Sequence, residues 1–177
     1  MKYVSRYHSP LGMLTMASDG EYLTGLWIEG QKYYAAALKG ECKEKNLAIF
    51  EQTKRWLDIY FHGDIPDFTP PLLLEGSPFR QKVWEILREI PYGQVMTYGE
   101  IAGRIAAQMG VEKMSAQAVG GAVGHNPVSI IVPCHRVVGS GGSLTGYAGG
   151  IDKKVALLTI EKVDMKQYFI PEKENAR

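Results

Sequence analysis

Along the first third of the chain, apolar residues fall in short runs broken by turn formers. Residues 3–7, 14–17 and 23–28 are such runs, separated by Ser-Pro, Gly and Asp-Gly punctuation, which is the pattern of antiparallel strands joined by tight turns. From Leu47 the period changes. Leu47, Phe50, Leu57, Tyr60 and Phe61 recur at helical spacing until His62-Gly63 stops them. Residues 64–71, rich in proline and acidic side chains, read as a strand or linker, and a domain boundary is expected near Glu75-Gly76.

Beyond that boundary the pattern is helical. Ser77 precedes Pro78, an N-cap followed by proline at the first helical position. Phe79, Val83, Ile86, Leu87 and Ile90 then make one apolar face that ends at Pro91-Tyr92-Gly93. Thr97-Tyr98-Gly99-Glu100 is a capping box opening a helix through Ile101 and Ile105. After a break at Gly110, Ser115 caps a short helix over 116–123. The pair makes a helix-turn-helix whose turn is longer than the compact kind. Asp152 opens a last helix with Val155, Leu158 and Ile160 as its apolar residues. Three segments result: an α/β domain around a small antiparallel sheet (1–75), a mainly helical domain (76–166) and a polar tail (167–177).

With 177 residues and 45% hydrophobic content, the chain can bury a core in one or two small domains. Its formal net charge is only +1, so no overall positive field advertises nucleic-acid binding. The charge is uneven, however. Residues 1–75 hold eight Lys/Arg against ten Asp/Glu, whereas residues 76–177 hold twelve against nine, which marks the second part as the one to face an anionic partner. Two cysteines, Cys42 and Cys134, make no disulfide framework, and four scattered histidines give no metal-ligand spacing. The N-terminus lacks the apolar core of a signal peptide, and no apolar run approaches membrane-spanning length. A reducing, cytoplasmic location and no membrane partner are therefore expected.

The segment Ile130-Ile131-Val132-Pro133-Cys134-His135-Arg136-Val137-Val138 carries the chemistry. An apolar run, a proline stop and adjacent cysteine and histidine read as a strand delivering a thiol to a loop. Cysteine attacks as the thiolate, and a nearby imidazole favours that form. Neighbours on a regular strand point opposite ways, so Cys134 and His135 require a turn at Pro133 or an intervening water. Taken alone, Asn126-Pro127 is a turn, Tyr98 an ordinary tyrosine in a helix's first turn, and Gly146, Gly149 and Gly150 a surface or ligand-approaching loop. Gly120-Gly121 inside the short helix suggests a close approach, to another helix or to a partner, because each glycine costs a helix about 1 kcal/mol relative to alanine.

Together, Pro91-Tyr92-Gly93, Asn126-Pro127, Pro133-Cys134-His135-Arg136 and Thr145-Gly146-Tyr147-Ala148-Gly149-Gly150 resemble the methylated-DNA–protein-cysteine methyltransferases. That DNA repair family moves alkyl groups from guanine onto its own cysteine. The resemblance covers residues 77–161, and residues 1–75 match only in character. It implies Cys134 as nucleophile, His135 as its activator through a water, Glu161 orienting the histidine, and Asn126 holding the turn around the cysteine. It also implies that Tyr98 hydrogen-bonds the purine ring nitrogen, that the Val137 carbonyl reads the guanine amine, that the Ala148 N–H faces O6, and that Tyr147 and Gly149 complete the pocket. The second domain is then of winged-helix type. Its partner is double-stranded DNA carrying O6-alkylguanine, approached through the minor groove by the 116–123 helix, with the base flipped out.

No cofactor is implied. Some members hold zinc in the first domain, but Cys42 has no partners for one, so no metal is expected. The implied reaction is a single-turnover, suicidal transfer from O6-methylguanine, with O4-methylthymine as a further substrate, by a monomer. One position departs from the family pattern: Gln117 stands where an arginine intercalates, losing charge and guanidinium stacking. That departure keeps a non-catalytic sensor of alkylated DNA as the alternative, and a Cys-His-Glu hydrolase is a third, unrelated reading.

Overall fold

The computed structural model describes residues 1–31, 38 and 40–171, and these form two compact units. The first comprises residues 1–75 together with 127–131, and the second residues 76–126 with 132–177. Among the described residues no helix is long and apolar enough to cross a membrane.

In the first unit, β1 (Lys2–Ser9), β2 (Gly12–Ser18) and β3 (Leu23–Ile28) form the antiparallel meander that the apolar runs predict. A fourth strand, β4 (Cys42–Glu44), pairs in parallel with β1, so the sheet is mixed rather than purely antiparallel, in the order β3-β2-β1-β4. Every residue of β3 is buried. A Cβ at Gly25 would lie 2.1 Å from the Trp27 indole, so the missing side chain makes room for that ring. Helix α1 (Ala48–Phe61) packs against β1, β2 and β3 and buries Ile49, Phe50, Trp56, Leu57 and Tyr60.

Residues 64–71 form no strand; instead Leu72 makes a single parallel bridge to Leu23 on the open edge of β3. Val128 makes a second one, to Leu26 on the same edge.

That second bridge corrects the expected strand over residues 130–132. The chain turns there, and Ile130, buried and β-branched, adopts a left-handed φ of 71° that no strand accommodates. Pro133, with no N–H to offer a ladder, starts a 3-10 turn over Cys134–Arg136.

In the second unit, α2 (Pro78–Glu89) begins as predicted, with the Ser77 hydroxyl accepting from Arg80 N–H at 3.2 Å. Its face is Val83, Trp84, Ile86 and Leu87, and the Trp84 indole donates to the Ala122 carbonyl at 2.9 Å. Helix α3 (Tyr98–Met109) is capped by Thr97 and ends on Gly110 in the left-handed region. Helix α4 (Ala116–Gly124) is capped by Ser115, which accepts from Gln117 and Ala118 N–H. Strands β5 (Met96–Thr97) and β6 (Val137–Val138) pair in parallel, joining the start of α3 to the chain just past Cys134.

Helix α5 (Ile151–Ile160) buries Lys154, Leu157 and Leu158, a face rotated from the expected Val155, Leu158 and Ile160. The start of the polar tail is structured: Phe169 pairs with Ser143, and Tyr168 packs against Val138, Leu144 and Leu158.

Candidate active site

The 3-10 turn carries about three residues per turn, so consecutive side chains diverge by about 120°. Cys134 is buried within it. The Asn126 amide donates to the Val132 carbonyl at 2.8 Å and also hydrogen-bonds Cys134. The next two residues of the turn reach one carboxylate. His135 Nε2 meets Glu161 Oε2 at 2.5 Å, and Arg136 Nε donates to Oε1 at 2.8 Å. Gly93 N–H gives Oε1 a second donor at 2.9 Å. Arg136 also donates to the Ile90 carbonyl at 2.7 Å, and its guanidinium lies 5.8 Å from the Tyr92 ring centroid. The turn that ends α2 is thus a scaffold for the carboxylate.

Burial and pairing together set the protonation states. Burial holds His135 below its usual 6.5 despite the Glu161 carboxylate beside it. Burial alone would raise Glu161, but the hydrogen bonds and charges of His135 and Arg136 outweigh it and hold the carboxyl at about 2. Burial pushes the Cys134 thiol up, opposed by the Asn126 hydrogen bond and the Lys154 charge. At neutral pH the cluster therefore holds a thiol, a neutral imidazole and a carboxylate. Because Nε2 faces the carboxylate, it carries the ring proton and leaves the lone pair on Nδ1. Nδ1 has no hydrogen-bond partner among the described residues, and neither has the Tyr147 hydroxyl. The arrangement suits a nucleophile activated on demand, by proton loss to a positioned base, rather than a standing thiolate.

Cys134, His135, Glu161 and Asn126 thus lie in one network. Tyr98, at the start of α3, donates to the Thr145 carbonyl at 3.1 Å. Gly146 has a φ of 75°, and a Cβ there would sit 2.8 Å from the Tyr98 hydroxyl, so that contact demands glycine. Tyr147 is buried, edge-on to His135 with ring centroids 6.5 Å apart. Ala148 and Gly149 are half-buried in the loop that leads to α5. The Val137 carbonyl already accepts from Lys154 Nζ. Gln117 stands outside the network, exposed in the first turn of α4.

Two members were not read from the sequence as site residues. Lys154, with 0% of its surface exposed, donates to the carbonyls of Val137 and Thr145 and so ties together the two backbone segments beside Cys134. Arg136 enters the sequence reading only within the motif Pro133-Cys134-His135-Arg136. A signal for Lys154 existed: with Leu157, Leu158 and Glu161 it falls at helical spacing on one stripe, and a lysine on an apolar stripe must be hydrogen-bonded there.

Known proteins share this architecture. Residues 2–74 match the family model for the ribonuclease-like domain of 6-O-methylguanine DNA methyltransferase, and residues 78–163 match the model for its DNA-binding domain. The methylated-DNA–protein-cysteine methyltransferase of Haemophilus influenzae is 43% identical over 162 residues, 91% of this chain and 87% of that protein. The O6-methylguanine methyltransferase structure from Mycobacterium tuberculosis is 43% identical at a TM-score of 0.77, covering 92% of this chain and 93% of that one. The structure of Mycobacterium tuberculosis OGT in complex with DNA is 41% identical at a TM-score of 0.79, covering 94% of each chain. With both units matched and this identity sustained over most of its length, the chain belongs to the methylated-DNA–protein-cysteine methyltransferase family.

Proposed function

We propose that this protein repairs DNA by moving the alkyl group from O6 of guanine irreversibly onto Sγ of Cys134. The observation that carries the reading is the buried cysteine adjacent to a histidine whose Nε2 is committed to Glu161, leaving Nδ1 as the base. The Cys134 proton passes to His135. The thiolate attacks the alkyl carbon, the C–O6 bond breaks with its electron pair going to guanine, and the proton passes from His135 to that guanine. Glu161 stabilises the imidazolium while it exists, and Arg136 keeps Glu161 ionised. A thioether is inert to water, so one molecule repairs one lesion.

In this reading Tyr98 hydrogen-bonds the purine, and Val137, Tyr147, Ala148 and Gly149 frame the extruded base. Asn126 holds the cysteine turn. Helix α4 enters the minor groove with Gln117 leading. Its composition supports this. A Cβ at Gly121 or Gly124 would meet nothing within 4 Å, and one at Gly120 only the Tyr98 ring at 3.9 Å, so packing within the second unit does not require these glycines. The protein acts as a monomer, in a reducing compartment such as the cytoplasm, where the thiol persists.

The experiment is intact-protein mass spectrometry after incubation with a duplex containing one O6-methylguanine, followed by peptide mapping. One added methyl on Cys134, stoichiometric and absent from Cys134→Ala, is the expected result. Binding without a mass change overturns the transferase reading and leaves a lesion sensor.

A further inference from the structure

Buried polar atoms in folded proteins almost always find partners, and each exception calls for a reason. Among the described side chains two exceptions stand out, His135 Nδ1 and the Tyr147 hydroxyl. They belong to rings in edge-on contact, His135 next to Cys134 in its turn and Tyr147 within electrostatic reach of Cys134. The two atoms are complementary. Nδ1 is an acceptor, since its ring proton is held at Nε2 by Glu161, whereas a phenol deep in the protein keeps its proton and is a donor.

A cysteine that must ionise during reaction needs both: somewhere for its proton to go, and a donor for the charge left on sulfur. We infer that the Tyr147 hydroxyl donates a hydrogen bond to the Cys134 thiolate as it forms, a catalytic role that complements the base, His135. The inference rests on the alkyl-transfer reading above.

Electrostatics supports the placement. A negative charge on Cys134 acts on the phenol and, with burial as the larger cause, keeps Tyr147 protonated well beyond the ordinary tyrosine range. The step balances. Sγ–H gives its proton to Nδ1, and the O–H of Tyr147 turns to the sulfur without being transferred. The S–C bond forms as C–O6 breaks with its electron pair left on guanine, and the Nδ1 proton then passes to that guanine anion. The thioether product is a far weaker acceptor than a thiolate, so the contact acts during transfer and not after it. An unpartnered hydroxyl at rest is then the consequence of a donor kept for a charge that exists only in passing.

Tyr147→Phe removes the donor and keeps the ring. Single-turnover methyl uptake from an O6-methylguanine duplex is expected to slow about tenfold to a hundredfold, the range for losing a hydrogen bond to a charged group. The pH profile of Cys134 alkylation by iodoacetamide, which needs no DNA, should move to higher pH. Other ionisable groups around the sulfur are His135 and Arg136 in its own turn, Lys154 on α5 and Glu161 at that helix's end, and all are unchanged in this variant.

Thermal stability should be unchanged or raised, since the lost hydroxyl had no resting partner. A second variant carries 3,5-difluorotyrosine at position 147, a stronger donor, and should shift the profile to lower pH. Wild-type rate and profile in Tyr147→Phe overturn the inference, as does a marked loss of stability, which would mean the hydroxyl has a structural partner. If the wild-type protein takes up no methyl group, the alkyl-transfer reading fails instead, and the two failures are told apart in one experiment.

Discussion

Among the described residues of the first unit the buried polar side chains are Thr15, Ser18, Thr24, Gln31, Thr53 and Ser129, none of them charged. Its ion pairs, such as Arg6 with Glu44, are at the surface. In the second unit the buried polar side chains are Asn126, His135, Arg136, Lys154 and Glu161, and four of the five are ionisable. Burying charge is costly, and a buried ion pair is often no more stabilising than apolar residues of equal volume. Among the described residues, charge is buried only around a single cysteine in the second unit, and the cost is accepted there because a proton has to move.

The same conservative change made once in each unit separates buried from exposed charge. Glu161→Gln should destabilise the second unit by about 3–5 kcal/mol, because Arg136 then stays buried without its counter-charge. Methyl uptake should fall with it, since His135 loses the partner that fixes its proton on Nε2. Glu44→Gln removes an equally close ion pair, but an exposed one, and should change stability by less than about 1 kcal/mol. Urea midpoints compare the two, and equal losses would end the argument that burial makes the difference.

Acid should distinguish the units as well. Glu161 and His135 both have lowered pKa values in the fold, so each contributes stability above its unfolded value, 4.5 and 6.5, that is lost on acidification, for Glu161 down to about 2. Cys134 has a raised pKa, so its contribution is present below 9.0 and lost as pH rises past it. The second unit should be most stable between about 6.5 and 9. Hydrogen exchange read residue by residue should show α2 and α5 losing protection below 6.5 before β2 and β3 do.

Lys154→Met tests the cation without altering the Glu161 pairings. The Val137 carbonyl loses its donor, which should cost about 1–3 kcal/mol. Cys134 loses the charge that opposes its raised pKa, so its iodoacetamide reactivity should shift to higher pH. An unchanged profile would make Lys154 a packing element only.

These residues also mark where sequence reading stopped. Ser77-Pro78, the Thr97 box and Ser115 announce helix starts because capping is a local interaction, and all three caps are present. The turn at residues 128–131 was hidden because Ile130-Ile131-Val132 has every local mark of a strand. What bends it is pairing of Val128 with Leu26, some hundred residues earlier in the chain, and that is invisible to a pattern. The helical face of α5 was misread for a related reason. Lys154 looks like a solvent-facing charge until the Val137 and Thr145 carbonyls that receive it are in place.

The smallest expected effects concern α4, whose solvent face is Ala116, Gln117, Ala118 and Gly121. Gly121 has ordinary helical geometry and open space beyond it, so Gly121→Ala should raise stability by about 0.5–1 kcal/mol. If this helix lies against the floor of a groove, the same methyl should weaken binding to a lesion duplex. Gln117→Arg should do the reverse, tightening binding and steepening the dependence of log affinity on log salt by about 0.9 for one added phosphate contact. Opposite signs from two neighbouring positions would tie the open face of α4 to DNA. A stabilised Gly121→Ala that binds as well as wild type would mean that DNA meets another surface, and the bareness of this helix would then need a different cause.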